Sequence, residues 1–298
     1  MADAPLESVS KTWTDTVQAR SWSYVDVWSP VRVVLRLSGL IFLLVLVLAA
    51  MACTMPVGWL SPAMAQPVRK WISWAWLRGT LALLGTRVAI QGVRPTRPFF
   101  LIGNHISWID FFVTNTVVDA VCVSEPVVSR IPLARFVLKG MDLIVITRKR
   151  EKLAETNDLM MRAMERGKNL VMAPEATVSP GKRVCHFHSS LFECAARLGR
   201  PVHYASLTVR TPHGWPPATR SVLAPDRDLP IKYPTPEEAE LMREQNRRGF
   251  LSYFLGLLSL PWHEYTVRFA PEPLVRNDRK ELARDLHEAV QSIFTPVE

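Results

Sequence analysis

The chain has 298 residues, 48% of them hydrophobic, with 36 lysine and arginine against 27 aspartate and glutamate, a formal net charge of +9. A mean hydropathy of +0.08 and a pI near 9.7 describe a chain too apolar for a basic nucleic-acid module; it carries no nucleic-acid motif, so no nucleic-acid partner is expected. Four cysteines without a CxxC (Cys53, Cys122, Cys185 and Cys194) exclude the disulfide framework of a small secreted domain, while an excess of arginine, whose fork grips phosphate with two hydrogen bonds, points to an anionic partner, the lipid bilayer first.

Taken in chain order, the first feature is a stretch without charge from Leu37 to Val68. Its core, "LSGLIFLLVLVLAAMACTM" (37–55), is just long enough to cross a bilayer as a helix. Arg32 and Arg36 precede the stretch, and Arg69 and Lys70 close it. A buried core helix or a secretory signal are the alternatives, and "AMA" at 63–65 resembles a cleavage site. The long segment before the apolar run is unlike a signal's basic leader, so a membrane anchor is expected. In "VRKWISWAWLRGTLALLG" (68–85), Trp71, Trp74 and Trp76 stand beside the basic pair, as indoles do at headgroups, and Arg78 makes a second full span poor. Positive charge at both ends places both flanks on the cytoplasmic side of the inner or plasma membrane. A re-entrant or tightly paired helical hairpin follows, with Pro56 and Pro62 in its bend. Residues 1–90 are read as the membrane-anchoring helical region and 91–298 as a second domain.

Beyond Gly92 short β-rich runs alternate with helical ones. The expected strands are "PFFLIG", "AVCVS", "DLIVIT", "NLVMAP", "PVHYASLTV" and "EYTVRFA". The expected helices cover 108–118, 151–166, 191–198 and 278–294, the last with Leu282, Leu286, Ala289, Val290 and Ile293 on one face. Alternation of this kind gives an α/β fold, a largely parallel central sheet flanked by helices. "FLSYFLGLLSL" (250–260) is too short to span a bilayer; it is either core or a surface that helps a lipid chain enter. The Pro-rich segment before it (211–238) reads as a long rim or lid loop.

In "PFFLIGNHISWIDFF" (98–112) a strand runs straight into Asn104-His105, and Asp110 follows within two helical turns. A carboxylate so placed can hold the imidazole in one tautomer and stabilise it once protonated, leaving the other nitrogen to take a proton from a hydroxyl. The spacing alone is weak evidence, and a structural histidine is the plain alternative. Two more polar residues also emerge at strand ends, Arg148 after "LIVIT" and Glu175 in "VMAPEATVS". Ligands collect beyond the carboxyl ends of parallel strands, so a base, a cation and a carboxylate could converge there; a surface Arg148–Glu175 ion pair is the alternative. "CHFH" (185–188) with Cys194 fits no common zinc spacing.

The four blocks carry a resemblance. "NHISWID" resembles the NHxxxxD block of the glycerolipid acyltransferases, the 1-acylglycerol-3-phosphate acyltransferase family. "GMDLIVITR" resembles its second block, "VMAPEATVS" its third, usually FPEGTxS, and "PVHYASL" its proline-containing fourth. Their order and separations agree over residues 70–295, and "GKRVCHFHSSLF" with "YTVRFAPEP" is most similar to the bacterial lyso-ornithine-lipid acyltransferase branch. The resemblance implies transfer of an acyl group from acyl-CoA or acyl-carrier protein to the hydroxyl of a lysolipid, in membrane-lipid biosynthesis. His105 would be the base and Asp110 its orienting partner, with Asn104, Arg148, Glu175, Thr177 and Lys182 at the acceptor. No covalent enzyme intermediate, metal or cofactor is implied.

Two departures bear on the acceptor. Ala176 stands where glycine is usual, and its methyl matters if the backbone needs positive φ. Val178 stands where phosphate-acceptor enzymes often carry arginine, so lysophosphatidate is expected to be a poor acceptor unless Lys182 and Arg183 replace the charge. A non-catalytic lipid-binding protein on the same fold is the alternative function, and an exported hydrolase ranks lower for want of a nucleophile elbow.

Overall fold

The computed structural model describes residues 26–124, 136–141, 143–145, 150–215, 218 and 235–297. The N-terminal apolar stretch folds as a helical hairpin: α1 (Ser29–Cys53), a short α2 (Met55–Leu60) and α3 (Pro62–Leu84). Pro56 and Pro62 fall in the first turns of α2 and α3, where a missing N–H and a fixed φ cost nothing. The long helices pack closely because Gly39 and Gly79 face leucines: a Cβ there would lie 2.7 Å from a Leu83 carbon and 2.9 Å from a Leu43 carbon. Residues 29–60 are long and apolar enough to cross a bilayer. Trp71 and Trp74 are exposed. Trp76 departs from the expected headgroup position and packs inward on Phe112, with ring centroids 5.2 Å apart.

Seven strands form one sheet: β1 (Thr86–Gln91), β2 (Phe100–Gly103), β3 (Val121–Ser124), β4 (Leu143–Val145), β5 (Leu170–Met172), β6 (Val202–Arg210) and β7 (His263–Phe269), in the order β1-β7-β6-β2-β5-β3-β4. Every neighbouring pair is parallel except β6–β7. Helices α4 (Ile109–Val117), α5 (Arg150–Glu165), α6 (Glu193–Leu198), α7 (Pro236–Ser259) and α8 (Arg279–Ile293) complete the described elements. The pleat sends alternate residues to opposite faces. Leu101, Cys122 and Val171 join a core with α3, α4 and the end of α7, and Phe100, Ile102 and Leu170 join one with α5, α6 and α8. The α/β fold with a largely parallel, helix-flanked sheet is as expected.

Two expectations change. "TRVAIQ" was not expected as a strand, yet it forms β1, so the sheet begins before residue 91. Its side chains are half-buried or exposed, as suits an edge strand paired on one side only, and they give little apolar contrast to read. The 250–260 run, together with the charged residues before it, forms α7, broken at Gly249 where φ is 64° and ψ 151°, a conformation open essentially to glycine alone. Residues 216–217 and 219–234 of the expected lid loop lie outside the described residues.

The hairpin is fastened to the domain by arginines. Arg36 donates to the carbonyls of Leu258 (2.9 Å), Leu260 (2.5 Å) and Pro261 (3.0 Å), and Arg32 to that of Ser259 at 2.8 Å. The Leu258 and Ser259 carbonyls close α7, where the last carbonyls have no intrahelical partner, and a cation at a helix C-terminus also meets its dipole favourably. Next to them His263 is buried and bonded to Thr86 Oγ1 at 2.8 Å. Burial, and then the Arg36 charge, push its pKa down to about 3, which keeps it neutral.

Candidate active site

His105 follows the carboxyl end of β2, and Asp110 sits in the first turn of α4. Asp110 Oδ2 accepts from the Ile106 N–H at 2.6 Å and the Ser107 N–H at 3.0 Å, and lies 2.9 Å from His105 Nδ1. A carboxylate that already receives two main-chain donors acts as acceptor, so Nδ1 carries the proton and Nε2 is the basic nitrogen. The Asp110 side chain is 6% exposed and that of His105 27%. The orienting group is therefore buried while the imidazole reaches the surface of the site.

A second set of bonds fixes the His105 main chain. Its N–H donates to Glu175 Oε1 at 3.2 Å, and its carbonyl accepts from the Ser179 N–H at 2.8 Å. Residues 175–179, the third block, thus bracket the His105 peptide from both sides. The turn between these contacts needs Ala176 at φ 52°, the left-handed region that costs an L-residue roughly 1–2 kcal/mol. Glu175 is 2% exposed. Burial pushes its carboxyl up to about 8, against the lowering influence of the His105 charge, the His105 N–H and Cys185. This carboxyl lies beneath the His105 loop, bonded to its main chain.

Other expected residues are also placed. Asn104 donates to the Leu207 carbonyl at 2.9 Å and accepts the Leu207 N–H at 2.7 Å. Its buried amide ties the end of β2 to β6. Thr177 is half-buried within the bracket. Lys182 Nζ donates to the Val297 carbonyl at 3.0 Å. Arg183 makes a two-handed contact with Glu238, at 2.9 and 3.2 Å. The two cations that were expected to replace the charge missing at Val178 therefore have other partners. Arg148 lies outside the described residues. In "CHFH", Cys185 is buried against Glu175, while His186 and His188 point outward.

Three supports escaped the sequence. Val297 N–H donates to the Gly181 carbonyl at 2.7 Å, and its side chain fills the space where a Gly181 Cβ would stand, 2.6 Å away. Trp108 donates to the Tyr253 hydroxyl at 3.2 Å, linking the His105 turn to the apolar half of α7. Glu238 accepts the Thr235 N–H while Thr235 accepts the Glu238 N–H. That last pair was readable, since Thr-x-x-Glu at 235–238 is a capping-box pattern.

Residues 86–207, which hold this whole constellation except the ends of α7 and the C-terminal stretch, match the Acyltransferase family model. Over those residues the chain is similar to that family. It is 32% identical to a lyso-ornithine lipid O-acyltransferase of Rhizobium meliloti over 43% of this chain and 44% of that protein. It is 27% identical to the lyso-ornithine lipid O-acyltransferase of Pseudomonas aeruginosa over 87% of this chain and 92% of that one. Among solved structures, the fold of this acyltransferase domain with its hairpin resembles the 1-acyl-sn-glycerophosphate acyltransferase of Thermotoga maritima, with a TM-score of 0.58 at 13% identity, over 89% of this chain and 97% of that one. The fold is thus shared across a wide sequence distance.

Proposed function

We propose that the chain is a membrane-bound O-acyltransferase that moves a fatty acyl group from acyl-CoA or acyl-carrier protein to the hydroxyl of a lysolipid, with a zwitterionic acceptor of the lyso-ornithine-lipid type preferred over lysophosphatidate. The observation that carries this reading is the His105–Asp110 pair with its main-chain bonds. His105 Nε2 takes the proton of the acceptor hydroxyl as its oxygen attacks the thioester carbonyl. The tetrahedral intermediate collapses, the C–S bond breaks, and the imidazolium returns the proton to the departing thiolate. Buried Asp110 stabilises the imidazolium between these two transfers. Glu175 and Ser179 hold the His105 peptide throughout.

The acceptor preference rests on charge. An arginine on a phosphate in a partly desolvated site contributes about 1.5–3 kcal/mol. Val178 cannot supply it, and Lys182 and Arg183 are engaged elsewhere. Purified full-length protein should transfer acyl groups from either donor, and His105→Ala should lose about 10²–10⁴-fold while staying folded. Lysophosphatidate should trail lyso-ornithine lipid in kcat/KM, and Val178→Arg should narrow the gap about tenfold or more. Full activity of His105→Ala would remove the mechanism. A wild-type preference for lysophosphatidate would remove the acceptor assignment.

A further inference from the structure

The apolar half of α7, residues 249–259, is uncharged all round. Its inner face is core: Tyr253, Leu257 and Leu258 are at most 2% exposed. Its outer face presents Phe250 at 59%, Leu251 at 69% and Leu255 at 38% exposure. A helix with one face in the core ordinarily turns charged residues outward; this one turns out phenylalanine and leucine, with Phe250 stacked on Phe254 at 5.8 Å. Such a face is a contact surface. What covers it is indicated by its neighbour: Arg32 and Arg36 bind the carbonyls at its end, and α1, packed beside it, exposes Val31, Val34 and Leu35. The outer face of α7 and the exposed apolar side chains of α1 thus belong to two helices packed on each other.

We propose that residues 249–259 are a second membrane contact, lying in the bilayer plane at the headgroup–acyl boundary beside the base of α1. This rests on the membrane-bound reading above. The segment is far too short to span, about 16 Å at 1.5 Å per residue, so it lies flat, as short apolar helices do at interfaces. The break at Gly249 lets it take that orientation independently of the charged half of α7, whose capping box holds Arg183. The hydrogen bond from Trp108 to Tyr253, on the inner face, ties this helix to the turn that carries His105 and sets it between that turn and the bilayer surface.

The test uses the full chain with Cys53→Ser, in vesicles of phosphatidylethanolamine and phosphatidylglycerol, some with brominated acyl chains. A single cysteine carrying an environment-sensitive fluorophore is placed at Leu251, at Phe42 on exposed α1, or at exposed Glu272. Blue shift and bromolipid quenching at 251 and 42, but not at 272, are expected. Quenching at 42 without 251 overturns the proposal and leaves the membrane reading standing, whereas silence at both sites removes the two together. A blue shift at 251 that needs no vesicles, and that brominated chains do not quench, shows a protein on this face and also overturns it.

Discussion

At the scale of single residues, the site is a main-chain device as much as a side-chain one. The histidine and aspartate were legible because their chemistry lies in their side chains and their spacing is local. The Glu175 and Ser179 contacts were not legible, since they are bonds to a peptide 70 or more residues away in sequence, and spacing within a segment carries no trace of them. Ala176 was flagged by its type, and the structure supplies the reason in a φ of 52°. Ala176→Gly should relieve roughly 1–2 kcal/mol of backbone strain and give back about 0.4–1 kcal/mol through greater unfolded-state entropy. A net gain below about 1 kcal/mol, read as a higher urea midpoint in detergent, is expected. Glu175 gives a prediction in pH. Its carboxyl stands at about 8 in the fold against an ordinary 4.5, so the native state keeps a proton that the unfolded chain has lost. Stability from this group is therefore full below about pH 4.5 and drains away as pH rises through 8. Glu175→Gln keeps the acceptor for the His105 N–H and removes the titration. Relative to the variant, the wild type should lose on the order of a few kcal/mol between pH 5 and pH 8 in parallel denaturant melts; parallel curves would refute the buried acid.

Among the elements, those with an interior position announced themselves and those at an edge or a break did not. β2, β3, β5, β6 and β7 bury most of the apolar side chains that define them, and "HEYTVRF" alternates buried and half-buried throughout. β1 has a single partner strand among the described residues and no fully buried side chain, so its sequence lacks contrast. Helix α7 combines a charged half with an apolar half across a glycine break, which no single period describes. Its start is nonetheless encoded, and the cap does two jobs: Glu238 closes the box with Thr235 and receives Arg183 from the loop beside the site. Thr235→Ala should cost about 0.5–2 kcal/mol of stability, measured by thermal unfolding in detergent. Activity should fall only to the extent that the Arg183 loop shifts.

On the scale of the whole molecule, the hairpin's two long helices run antiparallel, so Gly39 lies beside Leu83 and the start of α1 returns to where α3 enters the sheet. Both ends of the hairpin then lie beside the α/β domain, and the cations at its two flanks predict that this side is cytoplasmic. Cysteines introduced at Val27 and at Glu272 should both resist a membrane-impermeant reagent in intact spheroplasts and both react after lysis. Labelling at Glu272 from outside would reverse the orientation. α3 also runs directly into β1, whose strand partner among the described residues is β7 alone, and Thr86 meets His263 across 177 residues. During synthesis the hairpin can enter the bilayer early, yet the strand leaving it has nothing to pair with until nearly the whole domain has been made. Loop closure on that scale is slow, and an unpaired edge strand held at a membrane surface invites pairing with other chains. The expected outcome is a long-lived, partly assembled intermediate, vulnerable to proteolysis and crowding, in which chaperone supply rather than final stability sets the yield of active protein.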